Sequence, residues 1–188
     1  MNIIVKPQGS NFCYCRPDTT WERENRDFYV PEGIGSIAWT PVVFARVSKA
    51  GKCISPKFAS RYFDSFGFGM LMYCNPEQSE GCGNIAFSSC ADHTSVLPSS
   101  LQPADKLEDG NTGYVVYRNG EEIFSASADR NIIEDAICKA SKLTSLRIGD
   151  YVAAELTELA VLAGIADAEM HVKGESGNNG LYEFKIIF

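Results

Sequence analysis

One apolar segment limits what this chain can fold into more than any other. Residues 37–47, Ile-Ala-Trp-Thr-Pro-Val-Val-Phe-Ala-Arg-Val, are rich in β-branched and aromatic side chains and include no carboxylate. This composition predicts a buried strand. Pro41 lies inside the run, although a proline cannot donate to a β-ladder and is normally confined to strand edges, ends and bulges. A buried strand with a misplaced proline is therefore the first feature that a structure must explain.

Composition and charge narrow the possible partners. The chain has 188 residues, enough for one domain with a substantial core, and 45% of them are hydrophobic. The formal net charge is −7, and no cluster of Lys and Arg stands out. Because phosphate binding needs concentrated positive charge, we expect neither nucleic acid nor an anionic membrane surface as a partner. No apolar run approaches the roughly 20 residues of a membrane span, and residues 1–7 lack the pattern of a signal peptide.

Cysteine usage favours a reducing compartment. The seven cysteines are odd in number, and no export signal accompanies them: Cys13, Cys15, Cys53, Cys74, Cys82, Cys90 and Cys138. Disulfides persist mainly in oxidising compartments. We therefore expect reduced thiols in a cytoplasmic protein.

Most local patterns along the chain are typical of short β-strands. Residues 114–124 contain two β-runs around Asn119-Gly120, the strongest short signal for a hairpin turn. Residues 131–143 have apolar side chains at helical spacing, with Asn131 as the candidate N-cap. The other expected elements are strands at 28–30, 66–73, 151–154, 168–173 and 181–188, a short helix at 55–63, and a segment at 156–168 that fits helix or loop. These patterns predict one mixed, mostly β domain over residues 1–188, with a few short helices and a flexible loop at 174–180.

Residues 88–95, Ser-Ser-Cys-Ala-Asp-His-Thr-Ser, hold the densest set of reactive side chains. Cys90, Asp92 and His93 provide a thiol, an acid and an imidazole, the groups that a cysteine nucleophile and its base require. Because catalytic partners normally come from separate segments, a loop histidine and an ordinary cysteine explain the same pattern. Cys90 and His93 could also supply two zinc ligands, but the cysteine spacing is not that of a zinc finger, and we expect no metal site there.

Two acidic side chains lie amid apolar sequence. Glu155 and Glu158 follow the apolar strand predicted at 151–154, which makes them candidates for lining a pocket. The other carboxylates, including Glu22 and Glu24, fall on polar stretches, turns or a helix start, where solvation and capping explain them.

Six motifs, in order, resemble those of the fumarylacetoacetate hydrolase family. They are RPDT (16–19), RDFYVP (26–31), KAGKCIS (49–55), ASRYFD (59–64), YRNGE (117–121) and LRIGD (146–150), within a region of similarity over residues 12–173. Family members have a mostly β fold and an acidic triad that binds Mg²⁺ or Ca²⁺. They cleave C–C bonds in acylpyruvates and related oxo-acids, or act as isomerases, decarboxylases or dehydratases. The resemblance implies a curled β-sheet or β-roll core, with residues 1–15 as a shortened N-terminal segment.

The positions that would carry the family's chemistry are those that differ. The resemblance places the two metal-binding glutamates at Thr40 and Val42 and the metal-binding aspartate at Leu71. Of the family's catalytic Lys and Asp, only Asp92 has a match. A hard divalent cation needs several oxygen ligands, usually including carboxylates, which Thr40, Val42 and Leu71 do not supply. We therefore expect no metal cofactor.

The leading hypothesis is a catalytically degenerate member of this fold that acts as a binding or partner protein. Its former pocket would be more apolar, and the candidate ligand-binding residues are Trp39, Met70, Met72 and Glu155, with Phe68 beside them. Because family members are commonly dimers, the resemblance implies a homodimer, or pairing with an active paralogue. A small-molecule ligand is a further expected partner.

Two alternatives stay open. The first is an active hydrolase or isomerase acting on a small oxo-acid-like substrate, with a site rebuilt around Cys90, Asp92 and His93 and supported by Glu155 or Glu158. The second is an unrelated β domain, which would lack a long curled sheet.

Overall fold

Two β-sheets form the framework of the structure, a computed structural model that describes residues 1–76, 85–107, 113–177 and 179–188. Cys82 lies outside the described residues. The strands are β1 (Ile3–Lys6), β2 (Tyr14–Arg16), β3 (Trp21–Glu22), β4 (Phe28–Tyr29), β5 (Ile34–Val47), β6 (Phe63–Pro76), β7 (Ser95–Val96), β8 (Gln102–Pro103), β9 (Gly113–Arg118), β10 (Glu121–Ser127), β11 (Tyr151–Glu155), β12 (Ala160–Gly164), β13 (Glu169–Ser176) and β14 (Asn179–Ile187). The α-helices are α1 (Ile85–Ser88) and α2 (Arg130–Leu143), and short 3-10 helices span Asp18–Thr20, Pro56–Arg61, Ala104–Leu107 and Ile165–Asp167.

The larger sheet is built around the long antiparallel pair β5 and β6. Its strand order is β2-β1-β11-β5-β6-β7-β3, with β12 also paired to β5 and β8 to β6. The smaller sheet has the order β10-β9-β13-β14-β4. The N-terminal strand β1 pairs in parallel with β11, so the start of the chain is an integral part of the larger sheet.

The larger sheet curls until its two ends approach each other. The ring of Trp21 on β3 lies 5.3 Å from the ring of Tyr151 on β11, although β7, β6 and β5 separate these strands in the sheet. From the opposite end, Arg16 on β2 donates through Nη2 to the carbonyl of Met72 on β6 at 2.7 Å. The mostly β fold with a curled sheet is thereby confirmed, and the hypothesis of a β domain without such a sheet is wrong.

Alternation along β5 and β6 produces two separate hydrophobic clusters. One lies on the concave face of the larger sheet and includes Ala38, Val42, Phe44, Leu71, Tyr73, Tyr151 and Ala153. The other lies on the opposite face, packs against α2 and the smaller sheet, and includes Trp39, Val43, Phe68, Met70, Met72, Ile133, Ile137, Tyr114 and Val172. Both faces of β5 are therefore buried, as its composition predicts.

The proline in β5 faces a break in the ladder. Strand β11 pairs with β5 as far as Val42, and β12 pairs with it from Trp39, so residues 156–159 leave the sheet beside Pro41. The carbonyl of Pro41 accepts the N–H of Leu156 at 2.9 Å, which shows that the polar edge of Pro41 is turned toward this break. Because no strand pairs there, the missing N–H of proline costs no ladder hydrogen bond.

Several predicted elements shift in the structure. The hairpin at Asn119-Gly120 is confirmed, with φ values of 51° and 83° that suit a two-residue turn. Helix α2 begins at Arg130, and its N-cap is Asp129, which accepts the N–H of Asn131. The ambiguous segment at 156–168 contains strand β12. Most of the loop predicted at 174–180 is strand, because the β13–β14 ladder continues to Ser176 and Asn179, while Asn178 lies outside the described residues.

Candidate functional site

The three positions that the resemblance assigns to metal ligands lie side by side on the concave face. Thr40 on β5 is the direct cross-strand partner of Leu71 on β6. Val42 follows Thr40 by two residues, so it projects from the same face. All three side chains are fully buried. The structure thus brings together the three positions that the resemblance assigns to metal ligands.

These residues do not fit a divalent cation. The Thr40 hydroxyl donates to the carbonyl of Thr157 at 2.9 Å, and Val42 and Leu71 offer only hydrocarbon. Mg²⁺ and Ca²⁺ require about six or more oxygen ligands. Among the described residues, no group of three or more His, Cys, Asp and Glu side chains is arranged to hold a metal ion.

A hydrogen-bonded chain of three side chains occupies this part of the concave face instead. Glu155, at the end of β11 and paired in register with Val42, accepts the hydroxyl of Tyr73 through Oε1 at 2.5 Å. The Tyr73 hydroxyl also contacts the hydroxyl of Tyr14 at 2.5 Å. The second oxygen of Glu155 accepts the backbone N–H of Gln8 at 3.1 Å. The orientation of the Glu155 carboxyl group is therefore fixed from two sides.

Arg16 places a buried guanidinium next to this chain. Its Cζ atom lies 5.0 Å from the centre of the Tyr73 ring. Nε donates to the carbonyl of Ser89 at 2.9 Å, and Nη2 donates to Met72 and Thr94. Among the described residues, Nη1 has no hydrogen-bond partner. This cation connects the β2 end of the curled sheet to β6 and to the segment before β7.

Burial favours the neutral form of each group in this network. It raises the pKa of Glu155, although the hydrogen bonds from Tyr73 and Gln8 counteract part of the effect. Burial also raises the pKa of Tyr14 to about 12 and moves that of Tyr73 further upward. It lowers the pKa of the Arg16 guanidinium. The two tyrosines hold their protons at neutral pH and remain hydrogen-bond donors.

A cleft opens at the outer end of this network. Its volume is about 360 Å³, and Glu155 lines it together with Lys6, Asn131, Ile132, Asp135 and Leu156. Lys6 ends β1 and Glu155 ends β11, while Asn131, Ile132 and Asp135 belong to the first turns of α2. The cleft is thus formed where two parallel strands end beside the start of a helix.

The other predicted ligand-binding residues do not share a surface with Glu155. Trp39, Met70 and Met72 lie on the opposite face of the sheet and pack in the cluster that contacts α2 and the smaller sheet. Successive strand residues point to opposite faces, so Trp39 and Thr40 cannot line the same side of β5. Two glutamates were predicted to line a pocket. The structure places Glu155 in the lining of the cleft, whereas Glu158 lies on the segment between β11 and β12.

Asp92 and His93 line a second, larger cleft of about 690 Å³, together with Arg26, Phe28, Tyr29 and Pro31. The Nδ1 atom of His93 lies 2.8 Å from Oε2 of Glu22. Glu22 is only 4% exposed, in contrast to the solvated position expected for it from the sequence. Its pairing with His93 depends on contacts between β3 and the segment before β7, which no local pattern reveals.

Cys90 does not join His93 in this arrangement. Its Sγ atom donates to the carbonyl of Phe87 at 3.1 Å, and the side chain is exposed. Cys90 is not one of the described residues that line the larger cleft. The thiol and imidazole that are close in sequence are therefore not paired in the structure.

Comparison with known proteins identifies the fold. No protein-family model matches the sequence, and no curated protein matches it. Among solved structures, the chain is similar to fumarylpyruvate hydrolase from Pseudomonas aeruginosa in complex with Mn²⁺ and pyruvate, with a TM-score of 0.78, 13% identity and coverage of 100% of this chain and 90% of that one. It is also similar to a protein of Yersinia pestis CO92 provisionally assigned to the fumarylacetoacetate hydrolase family, with a TM-score of 0.75, 13% identity and coverage of 99% and 92%.

A third similar structure is maleylpyruvate hydrolase from Sphingobium sp. SYK-6, with a TM-score of 0.74, 14% identity and coverage of 99% of this chain and 70% of that one. The chain therefore has the fold of the fumarylacetoacetate hydrolase family, and the resemblance inferred from the six sequence motifs is confirmed at the level of the fold.

Within the described ranges, the longer of the two α-helices has 14 residues, and neither qualifies as a membrane-spanning segment.

Proposed function

We propose that this chain is a divergent fumarylacetoacetate hydrolase-like protein that lacks the metal-dependent C–C hydrolase activity of the family and acts as a binding or partner subunit. One observation carries the proposal. The adjacent, fully buried positions Thr40, Val42 and Leu71 provide a single hydroxyl group, which is already hydrogen-bonded. A cation placed there would lose its hydration shell without gaining enough oxygen ligands.

The neighbouring network supports the same proposal. Glu155 is the carboxyl group paired in register with Val42, and it is engaged by Tyr73 and Gln8. Burial raises its pKa, which disfavours the ionised form that a divalent cation binds. The hydrogen bonds of Tyr14, Tyr73 and Glu155 hold the strands of the curled sheet together in the region where the family would have a metal ion and its charged ligands.

Activity and metal titration test this proposal together. Fumarylpyruvate and maleylpyruvate are suitable probes, because the similar structures include hydrolases of these compounds. We expect no turnover that depends on Mg²⁺, Mn²⁺ or Ca²⁺, and no stoichiometric heat of metal binding by calorimetry. Metal-dependent turnover that an Asp92→Ala variant loses would overturn the proposal. The Glu169→Gln variant, which removes an exposed ion pair with Lys185, serves as a surface control.

A partner role requires a surface for another chain. Leu159, Val161 and Ile165 on and around β12 are exposed apolar side chains, and they support the homodimer, or the pairing with an active paralogue, that we propose. Six of the seven cysteines are described, and all six are free thiols, in accord with the proposed cytoplasmic location. We expect neither nucleic acid nor a membrane as a partner, because the net charge is −7.

The contact between Glu22 and His93 favours a second candidate function, metal-independent hydrolysis of a small ester or oxo-acid. Because the Glu22 carboxylate accepts a hydrogen bond from Nδ1, the other ring nitrogen of His93, Nε2, is the atom that would act as the base. It would take a proton from water as the water oxygen bonds to the substrate carbonyl carbon, and would return that proton to the leaving group. Hydrolysis of 4-nitrophenyl acetate by the wild type but not by the His93→Ala or Asp92→Ala variants would favour this function over the binding role.

A further inference from the structure

We infer that the 360 Å³ cleft at the ends of β1 and β11 binds a small zwitterion of the α-amino acid class with an apolar side chain. The inference rests on the binding role proposed above and names its ligand class. The carboxylate of the ligand would be recognised by Lys6, its ammonium group by Glu155, and its side chain by Ile132 and Leu156.

The positive side of the cleft is formed by Lys6. Its side chain is only 13% exposed, and Nζ contacts Oδ2 of Asp135 at 3.5 Å. An ammonium group has three donors, so one long ion pair leaves donors for a ligand carboxylate. Asp135 is also paired with Lys139 at 2.9 Å, so it does not neutralise Lys6 alone. The first turn of α2 adds a positive partial charge on the same side.

The negative side of the cleft is formed by Glu155. The bonds from Tyr73 and Gln8 hold its carboxyl group in one orientation. A carboxylate can accept about four hydrogen bonds, so two acceptor positions remain for an ammonium group. An ammonium group at this point would also offset the cost of burying the ionised carboxylate, which is the cause of the raised pKa.

The charges that line the cleft and its size select the ligand. Lys6 is positive, and Glu155 is negative when ionised. A ligand with a single charge would pair with only one of these two groups and leave the other without a ligand group of opposite charge in a partly buried site, which is costly. A zwitterion pairs with both. The volume is near the lower end of the roughly 300–1,000 Å³ range of ligand pockets, so a small ligand is indicated.

Three compounds with one carbon skeleton test the inference by titration calorimetry on the full chain. L-Leucine has both charges, 3-methylbutylamine lacks the carboxylate, and 4-methylpentanoate lacks the ammonium group. We expect 1:1 binding of leucine and at least tenfold weaker binding of the other two. The Glu155→Gln and Lys6→Met variants should each weaken leucine binding at least tenfold. Glu169→Gln, which removes an exposed ion pair with Lys185, should leave it unchanged.

Other results would overturn the inference. They are the absence of leucine binding, equal binding of leucine and either singly charged compound, and leucine binding that Lys6→Met leaves unchanged. Lys6→Met keeps the test decisive if Glu155→Gln fails to fold, because Lys6 takes no part in the Tyr14–Tyr73–Glu155 hydrogen bonds. If leucine binds and metal-dependent hydrolysis is also found, the proposed function is wrong and the proposed leucine site is retained. If leucine does not bind and no metal-dependent hydrolysis is found, the leucine site is wrong and the proposed function is retained.

Discussion

Replacing Tyr73 with phenylalanine removes the central link of the network that occupies the concave face. The Tyr73 hydroxyl is 2.5 Å from both Oε1 of Glu155 and the hydroxyl of Tyr14, so Tyr73→Phe leaves two polar groups without this partner. Each buried group left unsatisfied costs about 1–3 kcal/mol. Because Tyr14 is only partly buried, we take the lower part of that range for it and expect Tyr73→Phe to lower the free energy of unfolding by about 2–4 kcal/mol.

Urea denaturation followed by tryptophan fluorescence measures this loss, with linear extrapolation to water. Tyr29→Phe is the matched control, because Tyr29 is 70% exposed. Its effect should stay within about 0.5 kcal/mol. A double-mutant cycle with Tyr14→Phe should give a coupling energy of about 0.5–3 kcal/mol, since the two hydroxyl groups are in contact.

The reasoning would be refuted if Tyr73→Phe were no more destabilising than Tyr29→Phe. That outcome would mean that the Tyr73 hydroxyl does not hold Glu155 in place and that the network contributes nothing to the curled sheet.

Three further predictions concern packing, pH and assembly. A Cβ atom on Gly69 would lie 2.2 Å from the backbone oxygen of Val96, whereas one on Gly113 would meet nothing within 4 Å. Gly69→Ala should therefore lower the free energy of unfolding by about 1–3 kcal/mol and Gly113→Ala by less than about 0.5 kcal/mol, and equal urea midpoints would contradict this packing. Because burial raises the pKa of Glu155 in the folded state, its protonated form stabilises the fold below the unfolded pKa of about 4.3, and this contribution is lost as pH rises through the folded pKa. The stability of the wild type relative to Glu155→Gln should thus fall with rising pH in this window, and a rise would contradict the shift. Val161, at 68% exposure, should be part of the homodimer surface, so light scattering should show Val161→Lys as a monomer; a wild type that is monomeric would contradict the proposed homodimer.

Local sequence patterns predicted the secondary-structure elements that are determined by their own residues. The hairpin at Asn119-Gly120 follows from the backbone freedom of those two residues, and α2 follows from apolar side chains at helical spacing. The burial of β5 follows from its composition. By contrast, β12 is short and reads as helix or loop, because its pairing with β5 is a tertiary contact that no local pattern shows.

The candidate site was only partly predictable for the same reason. Motif order located Thr40, Val42 and Leu71, and apolar surroundings marked Glu155. Tyr73 could have been found by extending the alternation two residues beyond Leu71 on the same face. The contributions of Tyr14 and Arg16 could not have been found from the sequence, because they depend on how far the sheet curls.

Glu22 shows the limit most clearly. Most residues around Glu22 in the sequence are polar, yet it is buried and paired with a histidine 71 positions away. Trp39, Met70 and Met72 illustrate the opposite error, since adjacency to Thr40 and Leu71 in sequence places them on the other face of the sheet.

The most direct test of the central claim is a count of bound Mn²⁺ per chain by electron paramagnetic resonance. The claim is that the concave face around Thr40, Val42 and Leu71 cannot hold a divalent cation. With equimolar protein and Mn²⁺, we expect the full signal of the free hydrated ion, unchanged by Glu155→Gln. One tightly bound Mn²⁺ per chain that Glu155→Gln releases would contradict the account.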